Sequence, residues 1–199
     1  MDKFTVKAAE ALQEAQGIAL KRDHPIVDIA HLFAALIDQQ DGVVPALFAK
    51  LGVDTPAIRS VSEAELAKFP EASGGTANIS QALNKVIALA FDEAKDMGDA
   101  YVSTEHFLLA VLKEGKSPIA KLLGQHHIER KLVLAALKDV RGAGPVTSQD
   151  PEGSYQALEK YCRDLSADAR SGKLDPVIGR NDEIRRVVQV LSRRTKNNP

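Results

Sequence analysis

Residues 30–37 read Ala-His-Leu-Phe-Ala-Ala-Leu-Ile, and residues 105–112 read Glu-His-Phe-Leu-Leu-Ala-Val-Leu. His31 falls on His106 and Ala35 on Ala110, and the apolar positions follow. The offset of about 75 residues holds outward, placing Ala15 and Ala19 on Ala90 and Ala94, and Phe4-Thr5 on Ile79-Ser80. Downstream, Lys50-Leu51-Gly52 meets Leu122-Leu123-Gly124 once about three residues are gapped near Gly42. The period exceeds that of solenoid repeats, so it marks a duplicated small domain rather than an array.

Each copy reads as four helices. Phe4, Ala8, Ala11, Leu12, Ala15, Ile18 and Ala19 recur at helical spacing and predict a first helix that stops at Asp23-His24-Pro25. Asp28 is placed to cap the helix carrying His31. A short third helix ends at Gly52, and Asp54-Thr55-Pro56 opens a fourth that runs to about Phe69. The second copy repeats the plan with helices near 79–97, 105–113, 118–124 and 129–141. No segment alternates with period two long enough to predict a strand. The expected fold class is all-α, a pseudo-twofold pair of four-helix repeats at about 1–70 and 77–142, joined by Glu71–Thr76.

Residues 143–153 are rich in Gly, Pro and small polar side chains and read as a flexible linker. Beyond it the charge changes sign. Residues 154–199 carry ten Lys/Arg and six Asp/Glu, which leaves −5 on the first 153 residues against −1 for the whole chain. The tail predicts one amphipathic helix through Leu158, Tyr161, Leu165 and Ala169, a turn at 174–179, and a second helix from Asn181-Asp182. Around 46 residues is too short for a core of its own.

With 44% hydrophobic and 27% charged residues but no Trp, the core is built from Ala, Leu, Val and Ile. A single cysteine, Cys162, excludes an internal disulfide and fits a reducing compartment. No apolar run reaches membrane-spanning length and no signal peptide opens the chain, so a cytoplasmic protein without membrane partners is expected. The acidic first 153 residues argue against nucleic acid. Arg185, Arg186, Arg193 and Arg194 lack interleaved aromatics and read as a solvated or subunit-facing surface. His126-His127 point to different helix faces and make a poor metal pair, while His31 and His106 read as packing or capping residues fixed before duplication. No catalytic constellation is present, so no metal and no enzymatic activity are expected of the chain itself.

Residues 161–199, from Tyr-Cys-Arg-Asp-Leu-Ser-Ala-Asp-Ala-Arg-Ser-Gly-Lys-Leu-Asp-Pro-Val-Ile-Gly-Arg-Asn-Asp to Thr-Lys-Asn-Asn-Pro, closely resemble the entry into the first AAA+ ATPase module of the Clp chaperones. Residues 1–142 resemble the duplicated amino-terminal domain of the same family, most of all in its ClpB-type disaggregases. The resemblance implies an amino-terminal piece of a longer, homohexameric ATPase that uses ATP with magnesium and works with a DnaK-type chaperone. It also implies that Val177 and Ile178 contact adenine in the complete module, and that the piece is itself monomeric, with neither cofactor nor ATPase activity. Family members that recognise phosphorylated arginine carry an acid before the repeated His in both copies. Here Glu105 is present but Ala30 stands at the other position.

By the same resemblance, Thr5, Ser80, Asp99 and Glu105 match positions tied to substrate handling. All four are equally explained as helix caps or first-turn acids, stabilising by about 0.5–2 kcal/mol each. A seam between two four-helix units leaves a groove for exposed hydrophobic segments of unfolded clients, with Ala11, Tyr101 and Leu109 as apolar candidates for its lining. The rival reading is an adaptor-binding or assembly-regulating module that engages a folded partner.

Overall fold

The computed structural model describes residues 3–72, 77–141, 144–151, 163, 165–174 and 178–195. The chain forms two units, residues 1–157 and 158–199. The first holds α1 (Val6–Lys21), β1 (Ile26–Val27), α2 (Ile29–Asp38), α3 (Val43–Lys50), α4 (Thr55–Leu66), β2 (Asn78–Ile79), α5 (Gln81–Asp96), α6 (Thr104–Glu114), α7 (Pro118–Gln125) and α8 (Arg130–Arg141). The second holds α9 (Leu165–Arg170) and α10 (Asn181–Leu191), neither of which buries a side chain. Leu158 and Tyr161 of the expected amphipathic helix lie outside the described residues.

Local side-chain chemistry starts six of these helices. Thr5 Oγ1 accepts from the Ala8 N–H at 3.2 Å, and its repeat equivalent Ser80 Oγ accepts from Leu83 at 2.9 Å. Asp54 and Ser117 do the same for α4 and α7. On α2 and α6 a histidine closes the cap. His31 Nδ1 accepts from the Asp28 N–H at 3.1 Å, and His106 Nδ1 from Ser103 at 2.9 Å. The imidazole thus takes the place that Glu or Gln holds in the usual capping box, which accounts for a His at this position in both copies. α7 runs one residue past Gly124, and the left-handed residue beyond it is His127, at φ 56°.

α1 presents a stripe of Ala8, Ala11, Ala15 and Ala19, all within 1% of full burial, so that α2 approaches it closely. The equivalent pair, α5 and α6, packs as extensively. Phe33, Phe48, Phe107, Leu36, Leu108 and Leu109 fill the interior.

The copies are joined by an exchange that the sequence pattern did not predict. β1 runs parallel to β2, with Ile26 opposite Asn78 and Val27 opposite Ile79. Phe4 makes a parallel bridge to Val102. The repeat offset carries Phe4 onto Ile79 and Val102 onto Val27, so the same contact is made twice. Each copy lends the residues before its first helix to the segment before the other copy's second helix. Two-residue strands carry no readable alternation.

One ion-pair cluster clamps the second copy. The Glu93 side chain is fully buried on α5, and its two oxygens accept from Lys113 on α6 at 2.8 Å and Arg130 on α8 at 2.7 Å. Burial alone would raise this carboxyl, but the two cations outweigh it and hold it below its ordinary value. Glu93→Gln is expected to cost about 1–2 kcal/mol in urea denaturation at pH 7. The loss is limited because Lys113 and Arg130 are 40% and 45% exposed and regain water. The Glu93 contribution is present at neutral pH and lost as the pH falls through its depressed folded value, so wild type and variant converge in acid.

The stretch read as a flexible linker is, in its described part, strapped to the domain. Residues 144–151 return over copy two: Val146 is 1% exposed, its carbonyl accepts from Ala100, and the Gln149 carbonyl accepts from the Val6 N–H at 2.8 Å. A Gly/Pro-rich composition excludes regular structure here but not attachment.

Candidate functional site

The densest polar chemistry of the first unit lies beneath the turn that follows α5. Gly98 takes φ +73° there, a conformation that suits glycine, and turns the chain so that Asp99 points inward. The Asp99 side chain is fully buried. Its Oδ1 accepts from Arg141 Nη2 at 2.5 Å and from the Val146 N–H at 2.6 Å, and its Oδ2 meets His106 Nε2 at 3.0 Å. Arg141 Nη1 reaches Glu105 Oε1 at 3.3 Å, and the guanidinium also donates to the Gly144 carbonyl. Burial would raise the Asp99 carboxyl; its bonds from His106, Arg141 and Val146 prevail and hold it below its ordinary value. Since His106 Nδ1 already accepts from Ser103, the neutral ring carries its proton on Nε2 and donates it to Asp99.

Copy one builds the same place without charge. The offset of 75 carries Asp99 onto His24 and Glu105 onto Ala30; α3 and α4 match α7 and α8 at the same offset, without the gap expected near Gly42, so Arg141 falls on Leu66. His24 Nδ1 lies 2.9 Å from His31 Nε2, and Phe69 covers both rings at centroid distances of 5.5 and 4.9 Å. Burial, then the neighbouring His24, lowers the pKa of His31 to about 4. Burial, with Arg22 nearby, also lowers that of His24. Leu at the place of Arg141 goes with the absence of both acids, because an apolar residue there would strand Asp99 and Glu105 in the interior.

Arg141 is also part of a surface feature. A groove of about 740 Å³ runs between the end of α5, one face of α8 and the strap, lined by Met97, Gly98, Leu134, Leu137, Lys138, Arg141, Gly144 and Pro145. A second groove of about 440 Å³ lies across the Gly98–Asp99 turn, between Lys3, Phe91, Lys95 and Tyr101. There the half-exposed Phe91 meets Phe4 edge-on at 5.2 Å, and Phe4 stacks on Phe107 at 5.9 Å.

The residues singled out from sequence fall into three groups. Asp99 and Glu105 are brought together, though through Arg141 and behind the surface rather than on it. Thr5 and Ser80 are helix caps on the exchanged segments, and Thr5 is fully buried. Leu109, offered as groove lining, is 0% exposed and belongs to the core; Ala11 is 1% exposed and packs in the core, but it also borders a groove of about 470 Å³ with Lys7, Glu14, Ala35 and Gln39. The correction has a simple cause: helical periodicity finds apolar positions, and most of these face inward. Tyr101 is half-buried and does line a groove. In the second unit Ile178 is 84% exposed, and Val177 lies outside the described residues.

Sequence reasoning missed Arg141, Met97, Leu134, Lys138 and Pro145. The gapped repeat alignment sets Arg141 opposite Phe69; only the ungapped register of the helices sets it opposite the buried Leu66. Among the described residues no group of three or more His, Cys, Asp or Glu could hold a metal ion, and no helix is long and apolar enough to cross a membrane.

Comparison with known proteins supplies the family. The model of the Clp repeat (R) N-terminal domain matches residues 3–126. The chaperone protein ClpB of Nitratidesulfovibrio vulgaris is 47% identical over 203 residues, covering 99% of this chain and 24% of that protein. ClpB of Bacillus cereus is 44% identical over 204 residues, covering 100% and 23%. The chain thus spans about a quarter of the length of these relatives. Among solved structures, the Hsp104 N-terminal domain from Candida albicans superposes with a TM-score of 0.66 at 19% identity, over 75% of this chain and 99% of that one. The N-terminal domain of the ClpV1 ATPase from E. coli gives 0.62 at 19%, over 69% and 85%. These two likenesses concern the fold alone. With a family model covering most of the duplicated repeat and ClpB relatives aligned along the full chain, the protein belongs to the Clp N-terminal domain family.

Proposed function

We propose that the first unit is the client-docking domain of an ATP-dependent disaggregase of the ClpB type, and that the groove over α8 receives exposed apolar segments of unfolded or aggregated proteins. The observation that carries the reading is the make-up of that groove. Met97, Leu134 and Pro145 offer apolar contact, while Lys138 and the bonded Arg141 edge it with polar groups. Such a surface suits short apolar stretches flanked by polar backbone. Asp99 and Glu105 then act as positioning residues that hold Arg141, and Tyr101 offers a secondary contact. Thr5 and Ser80 support the site through the helix starts they cap.

The whole protein is proposed to work in the cytoplasm as a homohexamer that hydrolyses ATP with magnesium and cooperates with a DnaK-type chaperone, with Val177 and Ile178 touching adenine in the complete ATPase module. One domain holds a client weakly; tethered copies on a ring gain from effective concentration.

Leu134→Glu places a charge on the half-buried groove wall and is expected to weaken binding of an alkylated, permanently unfolded model protein at least tenfold, measured at a temperature where circular dichroism shows the variant folded. Fluorescence anisotropy of the labelled model protein reads the affinity. Unchanged affinity overturns the groove assignment. Indifference of the wild type to unfolded chains, with tight binding of a folded adaptor, would favour the rival reading instead.

A further inference from the structure

We infer that residues 144–151 are a releasable strap latched by Asp99, one that opens as a unit while the helical body stays folded. The strap is held at few points. Val146 and Pro151 are its buried residues, and Gly144, Pro145 and residues 147–150 are exposed. Bonds to its backbone tie it down: the Val146 N–H to Asp99 Oδ1, the Ala100 N–H to the Val146 carbonyl, the Val6 N–H to the Gln149 carbonyl, and the Arg141 guanidinium to the Gly144 carbonyl. The first two clamp a single residue on the Gly98–Asp99 turn. The third gives a partner to the first N–H of α1, which the helix itself cannot satisfy. A segment with little buried apolar surface and exposed bonds opens well before the body beneath it.

Two consequences follow from release. Gly144 and Pro145 form one wall of the 740 Å³ groove, so opening the strap removes that wall. Release also frees residues 144–151 themselves, a segment of about 25–30 Å at full extension. The buried charge cluster is therefore more than a structural plug. Asp99 spends one oxygen on both Arg141 and the strap, so the same carboxylate that sets the groove's cation also sets its wall.

Hydrogen exchange of the full 199-residue chain, read amide by amide, tests the latch. The Val6 amide is the decisive reporter, because it lies 140 residues from Val146 in sequence and its partner among the described residues is the strap. In the wild type, Val6, Ala100 and Val146 are expected to exchange together, at least tenfold faster than the central amides of α6. Val146→Ser, which removes the buried anchor without touching Asp99, is expected to speed Val6 and Ala100 at least tenfold further and to leave the α6 amides unchanged. Asp99→Asn is expected to speed the same amides. Exchange of Val6 and Val146 only at the rate of global unfolding, or a Val6 amide unmoved by Val146→Ser, would overturn the strap.

Discussion

Arg141→Met is expected to destabilise the first unit by about 3–5 kcal/mol at pH 7, the largest loss of any single polar substitution considered. The reason lies in what the variant leaves behind. Asp99 and Glu105 have no side-chain exposure, and Arg141 is only 6% exposed, so the guanidinium is the buried counter-charge for both acids. Removing it strands two carboxylates that water cannot reach, the costly way to break an interior ion pair. Glu93→Gln is milder for the converse reason, because the groups it strands are half in solvent. Urea denaturation checks the value. Adding Asp99→Asn and Glu105→Gln to Arg141→Met neutralises the stranded charges and is expected to recover at least half of the loss, a coupling that contacting residues show and distant ones do not. The loss also shrinks in acid, where the stranded carboxyls take up protons. An Arg141→Met variant within 1 kcal/mol of wild type would mean that the network does not hold this end of the domain together.

Copy one is expected to fail first in acid. Its buried pair, His24 and His31, is neutral. His31 Nδ1 accepts from the Asp28 N–H, so its neutral ring donates from Nε2 to His24 Nδ1, and a proton on that His24 nitrogen breaks the bond. The groups facing the pair are Arg22, which disfavours protonation, and Asp23, Asp28 and Glu71, which favour it; burial decides the direction. The unfolded imidazole titrates near 6.5 and His31 in the fold near 4. Between those values the unfolded chain holds a proton that the folded chain does not, so stability falls as the pH drops from 6.5 to 4 and is unaffected above 7. The size is on the order of 3 kcal/mol for His31 alone. NMR titration of the His31 ring is expected to show no protonation down to pH 5. Hydrogen exchange near pH 4.5 is expected to open α2 and α4 before α5, α6 and α8. A His31 ring that titrates near 6.5, or simultaneous opening of both copies, contradicts this account.

What was legible in the sequence was what the chain encodes locally. The helix starts at Thr5, Asp28, Asp54, Ser80 and Ser117 and the capping role of His31 and His106 all depend on residues within four positions of each other, and the duplication shows when the chain is laid against itself. What escaped depends on distance. Asp99 meets Arg141 across 42 residues, and nothing nearby marks that partner. The exchanged segments around Phe4 and Ile79 are too short to show a period. Residues 144–151 have a linker's composition, and only the burial of Val146 and the bond from Val6 reveal the strap. The candidate site was half legible. Asp99 and Glu105 were in the right neighbourhood but behind its surface, and the groove wall comes from Leu134 and Lys138, which α8 turns away from the core positions Val133, Ala136 and Val140. Hydrophobic periodicity reads the inward face of a helix, whereas a docking site uses the flank.

The most direct test of the central claim is an NMR titration of the 199-residue chain with an alkylated, unfolded model protein, following backbone amides across both copies. The account predicts shifts at Met97, Gly98, Leu134, Lys138 and Val146, none at the equivalent positions of copy one, and loss of the pattern in Leu134→Glu. Shifts centred on α1 and α2, or none at millimolar concentration, would contradict the assignment of client docking to this groove.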